Sequence, residues 1–377
     1  MTFLVKFIKF CLNVIYLFFK PLKTRKQITL ISRQSNKITD DFKLLENELK
    51  KQLPDYKIVI LCKKMDNKFK YCFHMLKQMY NISKSELIVL DSYCILASML
   101  KHKKNLKIVQ IWHALGLIKK AGYAILDLEE GRNKQISYAA NMHRNYTHVF
   151  TSSNACISSM SKVFDCDEKI IKSVPLPRID LLKDKKVINK NKSMIYKEYP
   201  NLRKKINVVY APTFRKDEKI MQEMIESFCV NFNYNKYNLI IKLHPLSKVV
   251  IENKNVIIDK KFSTMQMLSI AEYVISDYSS IIYEAGIMNK KLIFFAFDLD
   301  SYKGKRDFFI EYVNEVPGPI CKNSNELCSF LANPDYELYK NRLMISKYID
   351  LNIDNYTKNM VNEICFLLDT RGDVSDK

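Results

Sequence analysis

The feature that most constrains this 377-residue chain is an alternation that occurs twice. From residue 27 onward, short β-branched runs stand at Gln27–Ser32, Lys57–Cys62, Leu87–Asp91, Lys107–Trp112, His148–Ser152 and Ile170–Val174, with amphipathic stretches such as Asp41–Gln52 and Tyr93–Lys101 between them. Strands that alternate with helices imply a parallel sheet covered on both faces, since each return to a parallel neighbour needs a crossover. The segment from Leu181 to Arg203, crowded with Lys and Asn and weakly periodic, reads as a linker. The pattern then resumes at Asn207–Tyr210, Asn238–Leu243, Val256–Asp259, Tyr273–Ser276 and Lys291–Phe295, and helical periodicity returns at Asn325–Ala332, Glu337–Asp350 and Tyr356–Leu368. The expected fold class is α/β, with two doubly wound, Rossmann-like domains facing a cleft. The expected divisions are a basic segment over 1–26, an N-terminal domain over 27–190 and a C-terminal domain over 191–377. With 47% apolar and 12% aromatic residues the chain has enough apolar surface for both cores, which excludes a disordered polymer.

The net charge of +21 draws such a chain toward polyanions, although an AT-rich coding bias accounts for a Lys-, Asn- and Ile-rich composition equally well. No helix-turn-helix, zinc-finger or RRM signature accompanies the charge, so nucleic acid is not an expected partner. The ten cysteines are scattered, without Cys-x-x-Cys or Cys/His pairs at zinc spacing, which argues for a reducing compartment and against a structural metal.

Eight cations precede the first carboxylate, Asp40. Among them Lys6, Lys9 and Lys20, with Asn13 and Tyr16, recur at spacings of 3 and 4 to form one polar stripe on a helix that is otherwise Phe, Leu, Val and Ile; Pro21 stops it. The uncharged run Phe10–Phe19 is too short to span a bilayer, which needs about 20 apolar residues. An in-plane anchor on the cytoplasmic membrane face fits this pattern. A short signal-anchor and a helix packed on its own domain are alternatives, and a cleaved signal peptide is disfavoured because no small-x-small site follows.

Parallel open sheets bind ligands at the carboxyl ends of their strands. Four strand ends carry unusual residues. Trp112, His113, Ala114, Leu115 and Gly116, followed by Lys119, hold the sole tryptophan and a histidine suited to general base work, or alternatively a structural imidazole. Pro212 and Thr213 form a second strand end, which otherwise reads as an ordinary loop. Lys242, Leu243 and His244, before Pro245, place two donors where a diphosphate would gain charge. Ser279 and Ser280, after Asp277, sit where a helix begins, with Glu284 one turn later; plain N-capping is the simpler reading.

Taken in order, together with Pro177, Arg178 and Asp180, these segments resemble the CDP-glycerol glycerophosphotransferase family of teichoic acid synthesis, over roughly residues 85–365. The family's Trp-His, Pro-Arg-x-Asp, Pro-Thr, basic-x-His-Pro and Asp-Tyr-Ser-Ser motifs correspond to Trp112–Gly116, Pro177–Asp180, Pro212–Thr213, Lys242–Pro245 and Asp277–Ser280. The run from Leu292 to Phe309 is also similar. Ala114-Leu115-Gly116 replaces the polymerases' Gly-Thr-Pro and looks closer to the priming enzyme, and Lys242 stands where polymerase-like members have Arg. The resemblance implies a GT-B fold and transfer of glycerol phosphate from CDP-glycerol to a hydroxyl of an undecaprenyl-diphosphate-linked saccharide, releasing CMP. It implies His113 and His244 as catalytic residues, with His113 the base. Arg178, Lys242, His244, Ser279 and Ser280 would lie on the diphosphate, and Thr213 and Glu284 on the nucleotide or polyol. The remaining substrate contacts would come from Trp112, Ala114, Leu115, Gly116, Lys119, Pro212 and Leu243. No cofactor or metal is expected, and CDP-glycerol or CDP-ribitol would be the donor. A nucleotide-sugar glycosyltransferase of GT-B fold is the competing reading.

Overall fold

A computed structural model describes residues 1–370. Among these residues the chain divides into two compact units, one of residues 1–114, 121–178 and 350 onward, the other of 115–120 and 179–349.

The first unit opens with α1 (Thr2–Leu17), then β1 (Gln27–Ser32), α2 (Asp40–Gln52), β2 (Lys57–Cys62), α3 (Lys68–Lys84), β3 (Leu87–Leu90), α4 (Ile95–Met99), β4 (Lys107–Gln110), α5 (Lys134–Ala139), β5 (His148–Thr151), α6 (Ile157–Phe164) and β6 (Ile171–Ser173). Its six strands run parallel in the order β2-β1-β3-β4-β5-β6. All residues of β1 and β3 are buried, as strands covered on both faces must be. Thr39 caps α2 by accepting from the Phe42 amide, and Asn67 and Asn133 cap α3 and α5 in the same way.

The second unit contains α7 (Ile179–Lys183), α8 (Lys185–Glu198), β7 (Ile206–Tyr210), α9 (Lys219–Asn231), β8 (Tyr237–Ile241), β9 (Val256–Ile258), α10 (Thr264–Met267), β10 (Tyr273–Ser276), α11 (Ile281–Ile287), β11 (Lys291–Phe295), α12 (Leu299–Lys305), α13 (Tyr312–Glu315), β12 (Ile320–Cys321), α14 (Ser324–Ala332) and α15 (Leu338–Tyr348). Its sheet is again parallel, in the order β12-β11-β10-β7-β8-β9. The core between β7, β8, β10 and β11 and helices α9 and α14 is built on Tyr210, Phe228, Leu239, Ile275 and Phe295.

Two expectations are corrected. The stretch read as a linker is helical: Asp184 accepts from the Lys186 and Val187 amides to cap α8, and the helix buries only Ile195, so it carries almost no apolar periodicity to read. The last helix, α16 (Tyr356–Asp369), belongs to the first unit rather than the second. It packs against α2, Lys172 pairs with Glu363 at 2.6 Å, and the Asp350 amide donates to the Ser152 carbonyl at 2.7 Å.

The polar stripe of α1 faces its own unit. Lys9 donates to Asn141 Oδ1 at 3.0 Å, Asn13 donates to the Met99 carbonyl and accepts from the Lys101 amide, and Tyr16 is 1% exposed against His102. The apolar surface points outward, with Phe3 at 83% and Phe10 at 65% exposure. Among the described residues no helix is long and apolar enough to cross a membrane.

Candidate active site

In both sheets the chain winds outward in two directions from a central pair, β1 and β3 in the first and β7 and β10 in the second. The carboxyl ends of such a pair splay apart and leave a crevice that no crossover covers. Part of the sequence-selected set lies at these two places, each within its own unit, while Lys242 and His244 follow β8 and Gly116 and Lys119 lie elsewhere in the second unit.

In the first unit, β3 leads into Asp91 and β4 into Trp112 and His113. The Gln110 side chain accepts from the Trp112 amide at 2.9 Å and donates to Tyr146 Oη, holding a turn in which Trp112 takes a φ of +58°. A bulky residue in the left-handed region costs about 1–3 kcal/mol, a strain typical of sites where one side chain must be aimed. The Trp112 ring lies 4.3 Å from His113 and packs edge-on against Phe164. His113 Nδ1 meets the Asp91 carbonyl at 3.2 Å. A carbonyl only accepts, so Nδ1 carries the proton and Nε2 keeps its lone pair. Burial, aided by the Arg178 charge and opposed by the Asp91 carbonyl and Asp41, holds the His113 pKa down at about 4, so the imidazole is neutral at physiological pH.

Arg178 arrives from the end of the first unit. Its amide donates to Asp41 Oδ1 at 2.9 Å and its Nε to Oδ2 at 2.8 Å, with Nη2 also on that carboxylate. Asp41, 2% exposed in the first turn of α2, thereby fixes the guanidinium near His113. Beside them Asp91 is 3% exposed, its Oδ1 lacks a hydrogen-bond partner, and burial pushes its pKa up to about 7. Sequence reasoning missed both carboxylates, treating Asp41 as a helix start and Asp91 as a strand end.

In the second unit the crevice lies between the loops after β7 and β10. The Thr213 amide donates to both oxygens of Asp277, at 2.9 and 3.1 Å, and the Tyr278 amide adds a third bond at 2.6 Å. Arg215 ties the loops together: Nη1 reaches Asp277 at 2.9 Å while Nε and Nη2 grip Asp298 at 2.6 and 2.8 Å. Tyr278 Oη donates to Asp298, and Tyr312 Oη to the Asp277 carbonyl. This buried network holds Pro212, Thr213, Ser279 and Ser280 in one arrangement. Thr213 Oγ1 is buried without a hydrogen-bond partner. Ser280 stands at the N-cap position of α11 but makes no capping bond, and Ser279 Oγ accepts only distantly from the Ile281 amide, at 3.4 Å, so plain capping does not account for both hydroxyls. Glu284, one turn on, is 7% exposed.

His244 is exposed after β8, its ring 5.1 Å from Phe214. The Leu246 amide donates to its Nδ1 at 3.2 Å, which places the neutral ring's proton on Nε2, the reverse of His113. Lys242 behaves differently from expectation. Its ammonium donates to Asp259 Oδ2 at 2.6 Å and to the Asp259 and Phe262 carbonyls at 2.8 and 2.6 Å, so its three protons already have acceptors inside the protein. Burial works to raise the Asp259 pKa, but the bonds from Lys242 and Tyr199 and the Lys242 charge hold it below the usual carboxylate range. Leu243, between them, is half-buried against the core.

The segment Leu115–Lys120, which follows His113, belongs to the second unit. Lys119 pairs antiparallel with Phe308, Lys120 binds Asp307 at 2.5 Å, and the Phe309 amide donates to the Ile118 carbonyl. Gly116 has φ +57°, and a Cβ there would lie 2.4 Å from the Tyr283 ring, so both its backbone and its surroundings require glycine. Ala114, by contrast, remains with the first unit.

Two doubly wound units, each with polar residues gathered at its switch point, define a GT-B-like fold. That fold is shared with the wall teichoic acid polymerase TagF, at a TM-score of 0.74 and 19% identity over 97% of this chain and 98% of that one. The chain belongs to the CDP-glycerol:poly(glycerophosphate) glycerophosphotransferase family, which it matches over residues 13–365. It is 27% identical to the teichoic acid poly(ribitol-phosphate) polymerase of Bacillus spizizenii W23 over 92% of this chain, spanning 57% of that protein's length. It is also 27% identical to the teichoic acid glycerol-phosphate primase of Bacillus subtilis 168, over 77% of this chain and 76% of that one.

Proposed function

We propose that this enzyme transfers glycerol phosphate from CDP-glycerol to a hydroxyl of a lipid-linked saccharide in teichoic acid synthesis, releasing CMP. The acceptor oxygen bonds to the β-phosphorus, the bond from that phosphorus to the bridging oxygen breaks, and CMP leaves with the bridging oxygen. The hydroxyl proton passes to His113 Nε2, the ring nitrogen left as an acceptor by the Nδ1 bond to the Asp91 carbonyl; that bond is the observation that carries the reading. Arg178, Ser279, Ser280 and Thr213 Oγ1 hold the diphosphate, and His244 offers Nε2–H to the departing phosphate. Lys242 acts from beneath, fixing the β8 loop through Asp259. Charge neutralisation by these side chains, without a cofactor, completes the reading. Mass analysis of the product from a defined lipid disaccharide, with CDP-glycerol and CDP-ribitol in competition, tests it. A glycerol phosphate adduct is expected, and a sugar or ribitol phosphate adduct refutes it.

We further propose peripheral attachment to the cytoplasmic membrane face. The inward polar stripe of α1 supports this, because it leaves Phe3, Phe7, Phe10 and Phe18 to solvent. Helix α3, which shares α4 as a neighbour with α1, adds a second outward stripe of Phe69, Phe73, Leu76 and Tyr80 flanked by lysines.

A further inference from the structure

Between α1 and the body of the first unit lies a groove of about 410 Å³, a size that holds a phosphate headgroup and the first methylenes of its chains. Four lysines line it, Lys6, Lys9 and Lys20 from α1 and the turn after it and Lys101 from the body, and no carboxylate does. Lys9 already donates to Asn141. The rest of the wall is Asn13, whose side chain is already bonded to the Met99 carbonyl and the Lys101 amide, and the apolar Phe10, Val14 and Leu17, whose outer edges are exposed. At its floor stands Tyr16, 1% exposed, with an Oη that has no hydrogen-bond partner. A buried hydroxyl left unpaired is costly, and here it lines a cavity ringed by cations.

We infer that this groove binds the phosphate headgroup of an anionic glycerophospholipid from the bilayer, with Tyr16 Oη and Lys6, Lys20 and Lys101 as donors and the apolar wall against the acyl chains. The inference rests on the membrane attachment proposed above and deepens it from surface adhesion to a stoichiometric site. The groove is also separate from the catalytic end of the sheet. Lys101 precedes β4 and Asn141 precedes β5, whereas His113 follows β4; a strand of four residues at about 3.3 Å each lies between the two ends. The occupant is therefore a bilayer lipid and not the saccharide acceptor at its reacting end.

Dihexanoyl-phosphatidylglycerol below its micelle concentration, titrated into the full chain, should bind saturably with one molecule per chain. Replacing Lys6, Lys20 and Lys101 together by Gln should weaken that binding roughly 100-fold, and Tyr16→Phe about fivefold, with circular dichroism unchanged. Flotation with phosphatidylglycerol and phosphatidylcholine vesicles separates the two readings. Vesicle binding without saturable binding of the short-chain lipid overturns the groove and spares the attachment; loss of both overturns both. Equal binding by the triple variant, or inorganic phosphate displacing the lipid at matched concentration, also overturns the groove.

Discussion

Asp277→Asn is the sharpest perturbation of the second unit, because the substitution keeps the shape and alters only the contacts of Oδ2, the ion pair with Arg215 and the longer branch of the Thr213 amide bond. Oδ1 can still accept from the Thr213 and Tyr278 amides, which reach it at 2.9 and 2.6 Å. The new Nδ2, however, would stand where Oδ2 now meets Arg215 Nη1 at 2.9 Å, donor against donor. Asp298 retains its two bonds to Arg215, so the 3–5 kcal/mol of an abandoned buried ion does not apply and the loss is that of one charge-assisted bond, about 2 kcal/mol. For a unit of roughly 180 residues this lowers Tm by about 4–8 °C. Thermal unfolding followed by calorimetry reads the stability, and titration with CDP-glycerol reads the site, which should weaken because the loops carrying Thr213 and Ser279 lose the Arg215–Asp277 bond that helps to join them. A second substitution, Arg215→Met, should cost less in the Asp277→Asn background than alone. A variant with wild-type Tm and wild-type donor affinity would show that the network does not hold the two loops.

Other outcomes follow from the same geometry. His113→Ala should reduce turnover by at least about 100-fold while leaving CDP-glycerol affinity nearly intact, since the ring serves the proton and not the donor; single-turnover kinetics with separate binding measurements check it. Replacing Phe3, Phe7 and Phe10 of α1 by Ser should abolish flotation with anionic vesicles and preserve turnover of a water-soluble acceptor, because all three are exposed and contribute nothing to the core. Deleting the helix is the poorer experiment, as it would uncover the surface that Tyr16 now buries.

The strands were legible as short β-branched runs whether buried on both faces or lying at the sheet edge: Gln27–Ser32, Tyr273–Ser276 and Lys291–Phe295, and the less buried edge strand Lys57–Cys62, coincide with the observed elements. Lys107–Trp112 overran by two residues because Trp112 is apolar yet turns the chain into the left-handed region, which hydrophobicity does not encode. Helix α8 went unread because its single buried residue supplies no stripe. At the site, sequence order singled out the residues that follow strands, while their partners stayed hidden. Asp41 lies 137 residues from Arg178 and Asp298 lies 83 from Arg215, and in sequence each looks like any solvated carboxylate. Lys242 illustrates the converse: a lysine at a strand end looks free for phosphate until Asp259, 17 residues on, is found beneath it.

In the proposed mechanism the two histidines divide the proton work, and the pH dependence of the reaction tests that division. A base acts when unprotonated, so activity is lost as pH falls through its pKa. In the free enzyme burial and Arg178 hold His113 to about 4, which puts the acid limb of kcat/KM near pH 4 instead of near the ordinary imidazole value of about 6.5. A base so weak accepts a hydroxyl proton poorly, but the donor changes its surroundings. If the diphosphate lies against Arg178 as proposed, its negative charge offsets the guanidinium and favours the imidazolium, so the His113 pKa should rise in the complex. The acid limb of kcat should therefore lie at higher pH than that of kcat/KM, and Arg178→Met should raise the kcat/KM limb and narrow the gap. Coincident limbs near pH 6.5, unmoved by Arg178→Met, would mean that the titrating base is not the buried ring beside Trp112.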